Sequence, residues 1–204
     1  MKILLLKFRN IGDVLLSTPL VNNLRHHYPN AQIDFCVNKE TEAMLTLNPN
    51  LNKIITYDRI AIKSLTSIKR FWRELQFIRS FKKENYDVVI NLTSGDRGNL
   101  IAWISNATTR IGYSNKSWFF RKSLTHELPK QELRHTVDAS LDPLRLLNIP
   151  ISNKSVEIFW NSKDEQAISS ELTNINNFIH LHPVSRWLFK CISDNIMAQI
   201  IDYC

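Results

Sequence analysis

Glycine is scarce, four in 204 residues, and neither G-x-G-x-x-G nor G-x-x-x-x-G-K-[ST] occurs, which weakens any phosphate-loop reading. Cysteine is scarce too. Cys36, Cys191 and Cys204 are odd in number, widely spaced and without a C-x-x-C pair, so neither a disulfide framework nor a zinc site is suggested and a reduced, cytosolic setting is the default. The N-terminal apolar run Ile3 to Leu6 is broken by Lys7 and Arg9; it is too short for a signal sequence and far too short to span a bilayer. Acidic residues are in the minority, with 26 Lys and Arg against 19 Asp and Glu and a net charge of +7. That balance favours polyanions: nucleic acid, an anionic membrane surface or a phosphorylated glycolipid. No RNA- or DNA-binding motif is present and the basic residues are scattered, so no nucleic-acid partner is expected.

With 44% hydrophobic and 22% charged residues, the chain suits one ordinary domain and part of another. Its organising stretch is KILLLKFRNIGDVLLSTP, Lys2 to Pro19. Ile3 to Leu6 reads as a strand buried on both faces, followed by a tight turn and a helix start. Ligands of open α/β sheets sit outside the carboxyl ends of the strands, which singles out Arg9, Asn10, Gly12 and Asp13. Gly12 is expected to permit a sharp turn and the close approach of a ligand. Asp13 has two readings from spacing alone, a helix N-cap or a catalytic carboxylate.

A helix over Asp13–Tyr28 should kink at Pro19 or restart after Ser17-Thr18. His26 and His27, being adjacent, make a poor metal pair and read as solvated. Strands follow at Ala31–Val37, Lys53–Tyr57, Tyr86–Leu92 and Thr109–Gly112, alternating with helices, which argues for a doubly wound parallel α/β domain. Ser64–Asn85 reads as one long basic amphipathic helix, either a core face with a solvated face or a surface for an anionic leaflet. The turn Thr93–Gly98 should lie beside the first turn and form a crevice with it; Asp96 and Arg97 there contact a substrate or simply pair. Tyr113–Leu133 is an aperiodic loop, after which Arg134–Leu147 reads as a helix interrupted by Pro143. Arg121, Lys122, Arg134 and His135 are candidates for an anion-receiving lip, or a solvated basic surface. A first domain over residues 1–150 meets a linker at Ile149–Asn153, and residues 151–204 open a second sheet with a strand at Asn177–His182 and one helix after it.

Four passages carry a family resemblance: FRNIGDVLLSTPL, YDVVINLTSGDRG, RHTVDASLDPLRLLNI and FIHLHPVSRWLFKC. Along its whole length the chain resembles the glycosyltransferase family 9 heptosyltransferases, which build the lipopolysaccharide inner core from ADP-heptose. The resemblance implies a GT-B architecture of two facing Rossmann-like domains, with the N-terminal one holding the acceptor and the C-terminal one most of the nucleotide sugar. It implies Asp13 as general base in an inverting displacement, donor contacts from Ser185, Arg186 and Lys190, and, more loosely, acceptor contacts from Asn10, Gly12, Arg97, Arg134 and His135. No metal or other cofactor is expected, in keeping with the absence of a D-x-D pair. The implied partners are a core–lipid A acceptor, ADP-heptose and the cytoplasmic leaflet of the inner membrane, to which the protein would be peripheral. Family members continue through a second domain of comparable size, which supplies much of the donor site, and the alternatives are an inactive remnant that binds core glycolipid or membrane and a GT-B transferase for another sugar.

Overall fold

The computed structural model describes residues 1–114, 123–129, 134–173, 175, 177–185 and 187–204. The chain divides into two compact units, Met1–Trp160 and Asn161–Cys204.

The first unit is built on strands β1 (Lys2–Lys7), β2 (Gln32–Asn38), β3 (Lys53–Tyr57), β4 (Val88–Asn91), β5 (Thr109–Tyr113) and β6 (His126–Leu128). They form one six-stranded sheet in the order β3-β2-β1-β4-β5-β6, with every pairing parallel. Successive side chains of a strand point to opposite faces. Ile3 and Leu5 therefore join Leu20, Leu24 and Leu144 in the core on one face, while Leu4 and Leu6 join Ile78, Phe81 and Ile101 on the other. This is why β1 is an unbroken apolar run. Strand order reverses between β1 and β4, the point at which doubly wound sheets open a ligand crevice.

The helices among the described residues of this unit are α1 (Ile11–Leu15), α2 (Thr18–His27), α3 (Arg59–Lys63), α4 (Ser67–Ser80), α5 (Asp96–Ile104), α6 (Thr136–Ser140) and α7 (Asp142–Leu146). Pro19 falls in the first turn of α2, so the helix restarts there rather than kinks. The single helix read over Ser64–Asn85 is α4 preceded by the short α3, and it closes through a 3-10 turn onto Asn85, whose φ is +51°. Pro143 likewise opens α7, so the helix expected over Arg134–Leu147 is two. Residues 151–160 run against α2: Asn23 Oδ1 accepts from the Ser152 amide at 2.7 Å, and Thr18 Oγ1 from the Glu157 amide at 3.2 Å.

The second unit holds α8 (Ser162–Glu171), opened by a capping box between Asn161 and Asp164, a 3-10 turn at Leu188–Lys190, and α9 (Asp194–Tyr203). No strand forms over Asn177–His182. Apolar sequence makes a strand only where a neighbour completes its ladder, and the described residues of this unit supply none. None of its described residues is buried, as expected where so few elements share a core.

Candidate active site at the carboxyl end of the sheet

The loops after β1 and β4 are bonded to each other at the switch point. The Phe8 amide donates to Thr93 Oγ1 at 2.8 Å, Arg9 Nη2 to Ser94 Oγ at 2.8 Å, and Asn38 Nδ2 to the Arg9 carbonyl at 3.2 Å. The two turns thus lie side by side, as the parallel reading requires. Asn10 takes the N-cap position of α1, which leaves Asp13 as the third residue of the helix. The N-cap reading of Asp13 is therefore set aside. Gly12 adopts an ordinary helical backbone rather than a left-handed one, and a Cβ there would meet nothing within 4 Å. No turn needs this glycine; the space beside it is open.

Asp13 lines a cavity of about 160 Å³ with Lys7, Tyr113, Arg134, Thr136, Ala139 and Ser140. Lys7 is only 4% exposed and its Nζ donates to the Leu92 carbonyl at 3.2 Å. Burial pulls its ammonium below the ordinary lysine range, and the negative charge of Asp13 opposes that pull. On the cavity wall, Arg134 forms a two-pronged pair with Asp142, Nη1 to Oδ1 at 3.2 Å and Nη2 to Oδ2. Asp142 also accepts from Arg145 Nη1 at 2.6 Å. His135 is the N-cap of α6, its Nδ1 accepting from the Val137 amide at 3.3 Å. Tyr113 is backed by a buried amide ladder in which Asn91 Nδ2 donates to Asn99 Oδ1 at 2.8 Å and Asn99 Nδ2 to the Tyr113 carbonyl at 3.1 Å.

Arg97 belongs to a different cluster. Its Nη2 donates to Tyr57 Oη at 2.9 Å and to Glu74 Oε1 at 3.0 Å, and its guanidinium lies 4.2 Å from the Tyr57 ring centroid. The Tyr57 hydroxyl donates to Glu74 as well. Burial first, and then that bond to a carboxylate, push the Tyr57 phenol up to about 12. Beside this cluster opens a larger cleft of about 590 Å³, lined by Lys39, Tyr57, Asp58, Arg73, Gln76 and Phe77 among others. The cleft and the Asp13 cavity share no lining residue.

In the second unit, Ser185 Oγ accepts from the Trp187 amide at 3.3 Å, and Lys190 Nζ lies 5.9 Å from the Phe189 ring centroid. Arg186, like Arg121 and Lys122, lies outside the described residues. Sequence reasoning missed Lys7, Tyr113 and Thr136 as members of the site. Lys7 alone left a signal there: a cation ending a strand that is otherwise apolar on both faces.

No family model matches the chain. It is 27% identical over 197 residues to lipopolysaccharide heptosyltransferase 3 of Escherichia coli, covering 94% of this chain and 57% of that protein. The glycosyl transferase family 9 structure from Veillonella parvula DSM 2008 superposes with a TM-score of 0.85 at 22% identity, over 99% of this chain and 59% of that one. The chain resembles the family 9 heptosyltransferases. Escherichia coli heptosyltransferase WaaC, solved with ADP-2-deoxy-2-fluoro heptose, shares the fold at a TM-score of 0.72 and 15% identity, covering all of this chain and 65% of that one. The parallel α/β sheet thus has the fold found in those solved structures. The heptosyltransferase-like chain spans a little over half the length of the curated relative it matches.

Proposed function

We propose that this chain forms the acceptor-side part of a lipopolysaccharide heptosyltransferase, with Asp13 as the general base. The observation that carries the reading is the cavity at the switch point, where Asp13, freed of capping duty, stands with a buried lysine and an anchored arginine. An acceptor sugar hydroxyl entering that cavity gives its proton to Asp13 as its oxygen attacks the anomeric carbon of ADP-heptose. The new carbon–oxygen bond forms on one face while the bond to ADP breaks on the other, so the anomeric centre inverts. A carboxylate is a weak base, and its contribution comes from position and from a proton transfer late in the transition state. Lys7, anchored on the Leu92 carbonyl, sets a cation beside the carboxylate in the same cavity. Arg134, fixed by Asp142, presents a cation to acceptor phosphate or carboxylate, and Asn10, Gly12 and His135, its and Asp13's neighbours in the chain, complete the acceptor side; Arg97 braces the larger cleft through Glu74 and Tyr57.

On the donor side, Lys190 neutralises the leaving diphosphate, with Ser185 and Arg186 in the same loop. The acceptor is a heptose of the lipopolysaccharide inner core carried on lipid A, met at the cytoplasmic face of the inner membrane. Two lines support the heptose and the core acceptor: the whole-chain similarity to lipopolysaccharide heptosyltransferase 3 and the cation-rich site. The test is incubation of the chain with ADP-heptose and a heptosylated core acceptor. An acceptor heavier by one heptose, linked with inverted anomeric configuration, is the expected result. No product, or a retained configuration, contradicts the reading for this chain.

A further inference from the structure

Helix α4 carries two apolar stripes, and among the described residues one is packed while most of the other stands exposed. Phe77 and Ile78, continued by Phe81 just past the helix end, pack into the body of the unit. At 100° per residue, Ile68, Phe71, Trp72 and Leu75 form a second stripe about a third of a turn away. Ile68 is 74%, Phe71 62% and Trp72 55% exposed, and Ile60 of the adjacent α3 is 69% exposed. The Phe71 and Trp72 rings stack edge to face at 5.9 Å, so the stripe is a continuous surface rather than scattered side chains.

Around it the charge is of one sign. Residues 59–83 hold eight Lys and Arg and a single acid, Glu74, and that acid is bonded to Arg97 and Tyr57. On the same wheel Arg79 falls in line with the stripe and Lys69 beside it, both exposed. A second copy of the chain would bring like charge against like charge. A surface that is anionic outside and apolar within satisfies both halves of the pattern, with the aromatic rings at the acyl boundary and the cations among phosphates.

We infer that the exposed stripe of α4, with Ile60 of α3, docks the protein on an anionic phospholipid bilayer. The inference rests on the proposed function for its purpose, a lipid-borne acceptor. Its evidence lies on α4, and its test reads vesicle binding rather than transfer, so either reading can fail without the other.

The experiment is sedimentation of the full chain with phosphatidylcholine–phosphatidylglycerol vesicles and with phosphatidylcholine alone. Binding to the mixed vesicles only is expected, weakened by salt, and reduced roughly tenfold or more in Phe71→Asp/Trp72→Asp and in Lys69→Glu/Arg79→Glu. These side chains are exposed, so circular dichroism of each variant should match the parent. Trp187→Asp/Phe189→Asp in the second unit should leave binding unchanged. Equal binding to both vesicle types overturns the inference, as does undiminished binding in either α4 variant. Self-association of the parent that Phe71→Asp/Trp72→Asp abolishes would give the stripe to a second copy and overturn it too.

Discussion

Lys7 and Asp13, six positions apart in sequence, line one cavity of about 160 Å³ in which the lysine is almost wholly buried. A buried ammonium costs stability unless its surroundings return it, so its presence beside a candidate base points to chemistry rather than packing. Lys7→Met should keep or raise the melting temperature while transfer falls about 10- to 100-fold, with kcat more affected than KM. Thermal melts and steady-state kinetics on one preparation check this. A lower melting temperature with unchanged kcat would make Lys7 structural.

The bond between Arg97 and Glu74 yields a stability prediction. Glu74→Ala removes the acceptor of both Arg97 and the Tyr57 hydroxyl; leaving the buried hydroxyl's proton unsatisfied costs about 1–3 kcal/mol, while the partly exposed Arg97 turns to water. Urea unfolding of parent and variant measures the difference, and an unchanged midpoint would show that the cluster holds nothing together.

Tyr57 gives that cluster a pH signature. Its folded-state value, about 12, lies above the ordinary 10.0. A raised value contributes stability that is fully present below about pH 10 and is lost as pH rises from there through about 12. Melting temperatures measured across that window should fall less steeply for Tyr57→Phe than for the parent. The Tyr86 phenol, also raised by burial and by its bond to Asp34, leaves a residual slope in the variant.

Gly98 touches Asn91 so closely that a Cβ would fall 2.2 Å from its Oδ1. Gly98→Ala must displace the first rung of the amide ladder behind Tyr113, at a cost of about 1–3 kcal/mol by overpacking. Differential scanning calorimetry reads the loss, and an unaltered transition would mean that Asn91 moves freely.

The sequence disclosed this architecture unevenly, for physical reasons. β1 was legible because a strand covered on both faces is apolar, and β2 and β4 because they are mostly so despite the buried Asp34 and Asn91. β6 was not: His126-Glu127-Leu128 is a short edge strand, mostly exposed, with no periodic pattern. Asn177 to His182 reads as a strand yet forms none, because pairing is decided by neighbours the local sequence does not show. Asp13 stands out in the sequence from its place after an apolar run and at the start of a helix. The company it keeps does not, since Tyr113 and Arg134 reach the cavity from far along the chain. Arg97 read as a partner for its neighbour Asp96 or for substrate, whereas its ion pair reaches back to Glu74, 23 residues earlier.

The most direct test of the account is ADP release from ADP-heptose in the presence of a heptosylated core acceptor, compared between the parent chain and Asp13→Asn. The account predicts turnover in the parent, a loss of about 100-fold or more in the variant, and equal acceptor binding by both. Turnover that survives Asp13→Asn would contradict it.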